Sequence, residues 1–246
     1  MNKLLQDSFI VPDWPCHANV HALQTTRAGG FSQLPFDSLN LADHVEDNPL
    51  DVAKNRQLLA SYVPTEPLWL NQVHGVHVID AAASSCQESA DASYTTIPNV
   101  VCVTMTADCL PVLISDKAGT IVAAVHAGWR SLCDGIIEAT VEKMQVPGSN
   151  LMAWLGPAIG PESFEVSEDV RNQFIAKDKQ AITAFKPSGE KWLGDLYSIA
   201  RQRLHNLGLK EIYGKVECTF TNENRFFSFR RDGKTGRMAT MIWLSA

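Results

Sequence analysis

The sequence predicts an α+β fold of mixed α/β layers: a single domain over residues 1–246 in which mixed β-sheets are sandwiched by helices. Three observations lead there. Short apolar, β-branched runs bounded by turn residues recur along the chain. Helix caps fall between them without the strict strand–helix alternation of a parallel sheet. No repeat, low-complexity tract or Pro/Gly/Ser linker divides the chain. A chain of this length should expose roughly 10,900 Å² of about 39,000 Å² when extended, so about 70% of its surface is available for a core.

In chain order, Asn48 with Pro49 and Asp51 opens a helix to about residue 62, because Asn caps free N–H groups and Pro is tolerated in the first turn. Strands are expected at 68–71, 76–79, 100–106, 110–115 and 121–126. Residues 128–145 place Leu132, Cys133, Ile136, Ile137, Thr140, Val141 and Met144 on one helical stripe. A strand at 151–155 follows, then a helix starting near Ser167 with Glu168 and Asp169 in its first turn, and another from Asp195 to a stop at Gly208. Strands at 216–220, 226–230 and 238–244 close the chain, the last two flanking Asp232-Gly233 as a hairpin signal.

Composition excludes several functions. Apolar residues make up 45% and charged ones 20%, a globular balance. With 21 basic against 27 acidic side chains the net charge is -6, which argues against binding a nucleic-acid backbone. No apolar run is long enough to span a membrane. The first fifteen residues are broken by Gln6, Asp7, Ser8, Pro12 and Asp13, too interrupted for a signal-peptide core, so a cytoplasmic location is expected. Six cysteines without a Cys-x-x-Cys pair read as free thiols. Nothing in the pattern specifies an oligomeric state.

Three segments set metal-capable side chains where apolar strands begin or end: Asn71-Gln72-Val73-His74-Gly75, Thr106-Ala107-Asp108-Cys109-Leu110-Pro111 and Val125-His126-Ala127-Gly128-Trp129-Arg130. Cys109 lies 35 residues after His74 and 17 before His126, distances that suit ligands delivered by separate strand ends rather than a local zinc loop. Two imidazoles and a thiolate form a three-ligand set for Zn²⁺, with Cu²⁺ the alternative, leaving one position open as in catalytic sites. Asp108 is placed to orient a ligand or carry a proton, and Arg130, opening the next helix, to meet an anion. The competing readings are a core thiol at Cys109 and hydrogen-bonded structural histidines at 74 and 126. His77 is the nearest impostor, its odd spacing from His74 turning it to the opposite face of a strand. Arg27-Ala28-Gly29-Gly30 joins a cation to a Gly-rich turn. Arg230, Arg231 and Arg237 cluster around the C-terminal turn, as phosphate ligands or as a solvated hairpin tip.

In order, the motifs NQVHG, TADCLPVLI, VHAGWR, GPAIGPESFEV and FFSFRRDGKTGR resemble those of the multicopper polyphenol oxidase, or laccase-domain, family, whose members are described as purine nucleoside phosphorylases with adenosine deaminase activity; bacterial members are linked to peptidoglycan precursor editing. The likeness runs from about Arg27 to Trp243. It implies a catalytic metal trio of His74, Cys109 and His126, with Arg27, Asn40 and the Arg230–Arg231 turn near the substrate, and purine nucleoside and phosphate as partners. Two departures stand out: Ser163 where the family often has cysteine, and Phe229 where it often has tyrosine, so neither a thiol nor a phenol at those points is available to the chemistry. A true laccase needs about ten histidines, commonly as His-x-His; this chain has seven and no such pair. His44-Val45-Glu46 mimics half of the nucleobase-deaminase motif, but no Pro-Cys-x-x-Cys follows. The leading expectation is therefore a zinc-dependent purine nucleoside phosphorylase with adenosine deaminase activity. Its rivals are an amidase using Cys109 as nucleophile with His126 as base, acting on a peptidoglycan precursor, a laccase-type polyphenol oxidase, and a protein that binds a nucleotide-like ligand without turnover.

Overall fold

The structure, a computed structural model, describes residues 8–246. Residues 1–7, on which the reading of the N-terminus partly rests, lie outside them. The strands are Phe9–Ile10 (β1), Val20–Thr25 (β2), Val78–Asp80 (β3), Ala92–Thr95 (β4), Cys102–Thr106 (β5), Leu110–Asp116 (β6), Val122–Ala127 (β7), Leu151–Leu155 (β8), Glu165–Val166 (β9), Phe185–Ser188 (β10), Lys191–Gly194 (β11), Glu211–Tyr213 (β12) and Met238–Leu244 (β13). The helices are Pro49–Leu59 (α1), Trp129–Asp134 (α2), Ile136–Met144 (α3), Glu168–Lys177 (α4), Leu196–Asn206 (α5) and Phe229–Asp232 (α6).

Two sheets carry the fold. One is antiparallel, in the order β1-β2-β13-β5; the other runs β12-β8-β6-β7-β4-β3 and is mixed, parallel only at its two edge pairs. A small antiparallel sheet, β10-β11-β9, sits aside. The period-two alternation of β6, β7 and β8 divides their side chains between two cores. Leu113, Val122, Ala124, Met152 and Trp154 face Ile242 and Leu244 of the other sheet. Val112, Ile114, Val125 and Leu155 face α3 and α5. The outer face of the four-stranded sheet, with Leu23, Val103 and Met241, is covered by Leu59 of α1. The layer order is thus helix, sheet, sheet, helices, the sandwich that the sequence predicts. No helix among the described residues is long and apolar enough to cross a membrane.

Two of the expected N-caps bond through their side chains, whereas Ser167 precedes α4 without a side-chain cap bond. Asn48 accepts the Leu50 N–H and Asp195 that of Ser198, while Gly208 ends its segment at a φ of 87°. Helix α1 stops at Leu59 rather than near 62, with Ala60 as its C-cap.

Several elements depart from expectation. The segment 128–145 is two helices, because Gly135 adopts a φ of 103° and closes α2 with a hydrogen bond to Ser131. Residues 68–71 are extended but make only isolated bridges, Leu68 with Cys102 and Asn71 with Ser89. The strand expected at 76–79 starts at Val78 and runs to Asp80, since the chain bends at 74–75. Residues 216–220 pair solely through Cys218. The hairpin across Asp232-Gly233 does not form: Phe226 and Phe227 are both fully buried, which no half-buried strand allows, and Ser228 accepts the Arg231 N–H to start α6. The sequence reading also passed over β1, β2, β4 and β9–β12, which are short, polar or interrupted.

Candidate functional site

Three connections bring the site together. Residues 107–109 carry the chain from β5 in one sheet to β6 in the other, so Cys109 stands at the crossover. His126 is the penultimate residue of β7, in register with Pro111 of β6. His74 lies in the turn before β3 with a φ of 59°, and Asp108 has a φ of 90°; both are left-handed conformations that side chains adopt at a cost.

Asp91 meets that cost for the first loop. Its fully buried carboxylate accepts the backbone N–H groups of His74 (2.9 Å) and Gly75 (2.6 Å), a longer contact from Val73 (3.3 Å), and the Nδ1–H of His126 (2.8 Å). One carboxylate therefore fixes the backbone of one imidazole and the tautomer of the other, leaving Nε2 of His126 free to bind. Asp108 is pinned comparably. It accepts the Thr219 hydroxyl and the Arg230 N–H, each at 2.6 Å.

The donor atoms of His74, Cys109 and His126 all lie within 4.8 Å of one another, and Nε2 of His74 is 3.7 Å from Sγ of Cys109. Zn–N and Zn–S bond lengths in a tetrahedron put such atoms about 3.6 Å apart. The two rings meet edge-on, with centroids 4.7 Å apart. Gly128 makes this approach possible, since a Cβ there would sit 2.8 Å from Cδ2 of His74 and 3.1 Å from the sulfur. The residues present fit a metal ion, with Asp91 completing the carboxylate–histidine arrangement behind it.

The same proximity sets the charges. Burial opposes ionisation of Cys109, but the positive charge of His126 and hydrogen bonds from both imidazoles outweigh it and lower the thiol from 9.0 to about 6. Burial likewise opposes the imidazolium of His126, and the Cys109 thiolate with Asp91 overcomes it, raising the group from 6.5 to about 9. Asp91 is held below its ordinary value: burial resists, and the hydrogen bonds from His126, Gly75 and His74 prevail.

The trio opens onto a cleft of about 560 Å³, within the size range of small-molecule sites. Asp108, Arg130 and Arg230 line it as well. Arg27, Asn40 and Arg231, expected near the substrate, do not. Arg27 is spent on the Asp37 carbonyl and carboxylate and on the Glu223 carbonyl. Arg231 is saturated by the carbonyls of Thr219, Phe220 and Phe226 and by Asp232, and so clamps its own loop. Asn40 is fully buried, bonding Ala42, Asp47 and the Arg237 N–H. His77 stays outside, its ring against the Ser89 carbonyl. The sequence reading missed Asp91, which sits unmarked among small residues; of the three arginines read as phosphate ligands at the C-terminal turn, Arg230 and Arg237 line the cleft, and His44, read only as half of a deaminase motif, lines it too.

Comparison with known proteins follows the same outline. A model of the family described as multi-copper polyphenol oxidoreductase laccase matches residues 21–245. A Shigella flexneri protein named purine nucleoside phosphorylase YfiH is 52% identical over 238 residues, 96% of this chain and 98% of that one. A Pseudomonas aeruginosa protein, also named a purine nucleoside phosphorylase, is 49% identical over 240 residues, 97% and 99% of the two chains. The crystal structure of Neisseria meningitidis protein NMB0706 superposes with a TM-score of 0.95 at 47% identity, covering 97% of this chain and 100% of the other. That of YlmD from Geobacillus stearothermophilus gives 0.83 at 30% identity, covering 94% of each.

Proposed function

This chain belongs to the multi-copper polyphenol oxidoreductase laccase family, and from that membership and the geometry of its cleft we propose that it is a zinc-dependent purine nucleoside phosphorylase. The observation that carries the reading is the convergence of His74, Cys109 and His126 on one point of a nucleoside-sized cleft that also holds unpaired arginines. Full-length relatives named for that activity support it. Two imidazoles and one thiolate match the preferences of Zn²⁺, which bound there would supply Lewis acidity and an open position facing the cleft. The oxidase chemistry of the family's description asks for several coppers, and among the described residues His74, Cys109 and His126 form the single cluster able to hold a metal.

In phosphorolysis a phosphate oxygen bonds to the anomeric carbon as the C–N bond to the base breaks; the electron pair leaves with the base, which takes up a proton. The guanidinium groups lining the cleft gather and orient the phosphate, removing the entropic cost of bringing two reactants together. Asp108 is the one carboxylate lining the cleft among the described residues. Its two bonded oxygens keep lone pairs for a proton or a ribose hydroxyl. Adenosine deaminase activity is the second reaction we assign to the cleft: water adds at the purine C6 and ammonia leaves, with Asp108 as proton carrier.

A thiolate nucleophile is the rival, and the lowered Cys109 pKa favours it. Such a nucleophile needs one imidazole; the convergence of two favours a metal. The test is steady-state turnover of inosine with phosphate, with and without Cys109→Ala. Formation of ribose 1-phosphate and hypoxanthine, abolished in the variant, is expected; unchanged turnover in the variant would eliminate the mechanism. A covalent thioester on Cys109 formed without metal would favour the rival.

A further inference from the structure

Three arginines line the cleft, and they are not equivalent. Arg130 is exposed and lies over the ring of Trp129, 4.4 Å from its centroid. Arg230 is exposed and spends Nη1 on the Glu165 carbonyl. Arg237 is half-buried and held at three points. Its N–H donates to Oδ1 of Asn40 (2.9 Å), and its Nη1 donates to the carbonyls of Thr235 (2.8 Å) and Gly236 (3.1 Å). That leaves Nε and Nη2 with no protein acceptor and the guanidinium with no carboxylate among the described residues. Arg27 and Arg231, by contrast, are each paired with a carboxylate and saturated with carbonyls.

A half-buried cation that makes no ion pair at contact distance is costly unless a ligand supplies the partner. A guanidinium whose orientation is already fixed also loses little freedom on binding a tetrahedral oxyanion through its remaining fork. Resting on the phosphorylase reading, we propose that Arg237 is the side chain that binds inorganic phosphate in this cleft, and that Asn40 is a positioning residue acting through it. This gives the fully buried Asn40 a reason to spend its side chain on the Arg237 backbone. Burial pulls the Arg237 pKa down, and the negative charges of Cys109 and Asp108 oppose the drop, so the guanidinium faces the same space as the trio.

The test compares the wild-type enzyme with Arg237→Gln and Arg237→Lys. With inosine saturating and phosphate varied, the Gln variant is expected to raise the KM for phosphate by about tenfold or more, as loss of a charge-assisted hydrogen bond implies, while the KM for inosine changes far less. The Lys variant keeps the charge without the fork and is expected to fall between. Thermal unfolding in inorganic phosphate against chloride at equal ionic strength reads the site without turnover: phosphate should stabilise the wild-type protein and leave Arg237→Gln unchanged. A Gln variant with wild-type phosphate KM and wild-type stabilisation overturns the assignment while leaving the phosphorylase reading intact. Phosphate stabilisation that depends on Arg237, in a wild-type protein that does not cleave inosine, keeps the site and removes the reading.

Discussion

Asp91 does at the residue scale what the metal trio cannot do for itself. Removing its charge uncouples the His74 turn from the His126 ring in one step. Asp91→Asn is expected to lower metal affinity by about 10–100-fold and to destabilise the protein by roughly 3–5 kcal/mol, the range for breaking a buried charged pair; metal titration and denaturant unfolding measure the two. Wild-type affinity in that variant would show that the carboxylate is not holding the ligands. The thiol offers a second test. In metal-free protein the ultraviolet signal of the Cys109 thiolate, taken as the difference from Cys109→Ser, should titrate near 6 rather than near 9. The linked stability has two edges. The depressed thiol contributes fully above 9.0 and loses its contribution as pH falls through about 6. The raised imidazole contributes fully below 6.5 and loses its contribution as pH rises through about 9. Each shift is caused largely by the other group's charge, so the two edges bound a single thiolate–imidazolium pair: metal-free protein should be most resistant to denaturant between about 6 and 9, and Cys109→Ser should flatten the profile.

At the scale of elements, the site is made by places where regular structure stops: the end of β7, the crossover from β5 to β6, and the turn before β3. His74, Cys109 and His126 were legible because apolar strand runs end beside them. Asp91 was not, because β4 is four residues long and Ala90-Asp91-Ala92 carries no motif; only its burial reveals it. Helix α6 was misread as a strand because 227–230 alternates aromatic and polar residues, and it takes the Ser228 cap and the Arg230 bond to Asp108 to bend it. Its turn was read as an arginine cluster, but Arg231 serves the loop and Arg230 the cleft. Gly128 gives the element-scale test. Gly128→Ala, whose Cβ would meet His74 at 2.8 Å, should push that ring aside and weaken metal binding with little loss of helix α2, as circular dichroism and metal titration would show. Unaltered affinity would mean that His74 is not required at the site.

For the whole molecule, the layers anticipated from the sequence are those found, because their cause is the period of apolar residues on β6, β7, β8 and α3. Connectivity was not legible: which strands neighbour one another depends on pairings such as β13 between β2 and β5, whose partners are far apart in the chain. The six-stranded sheet borders both the helix-side core and the core between the sheets, so packing defects behind the site should act on the entire fold. Ile136→Ala, on the buried stripe of α3, is expected to cost about 2–5 kcal/mol in denaturant unfolding with turnover per folded molecule retained. The accessible surface, 11023 Å², matches the roughly 10,900 Å² expected for a compact chain of this size. The central claim is that two imidazoles and a thiolate, drawn from three connections by one fold, hold a single ion. Anomalous diffraction at the zinc edge from crystals of the purified protein tests it most directly. One peak is expected, about 2.0–2.1 Å from Nε2 of His74 and of His126 and about 2.3 Å from Sγ of Cys109; the absence of a peak there from metal-supplemented crystals, or a peak bonded to other residues, would contradict the account.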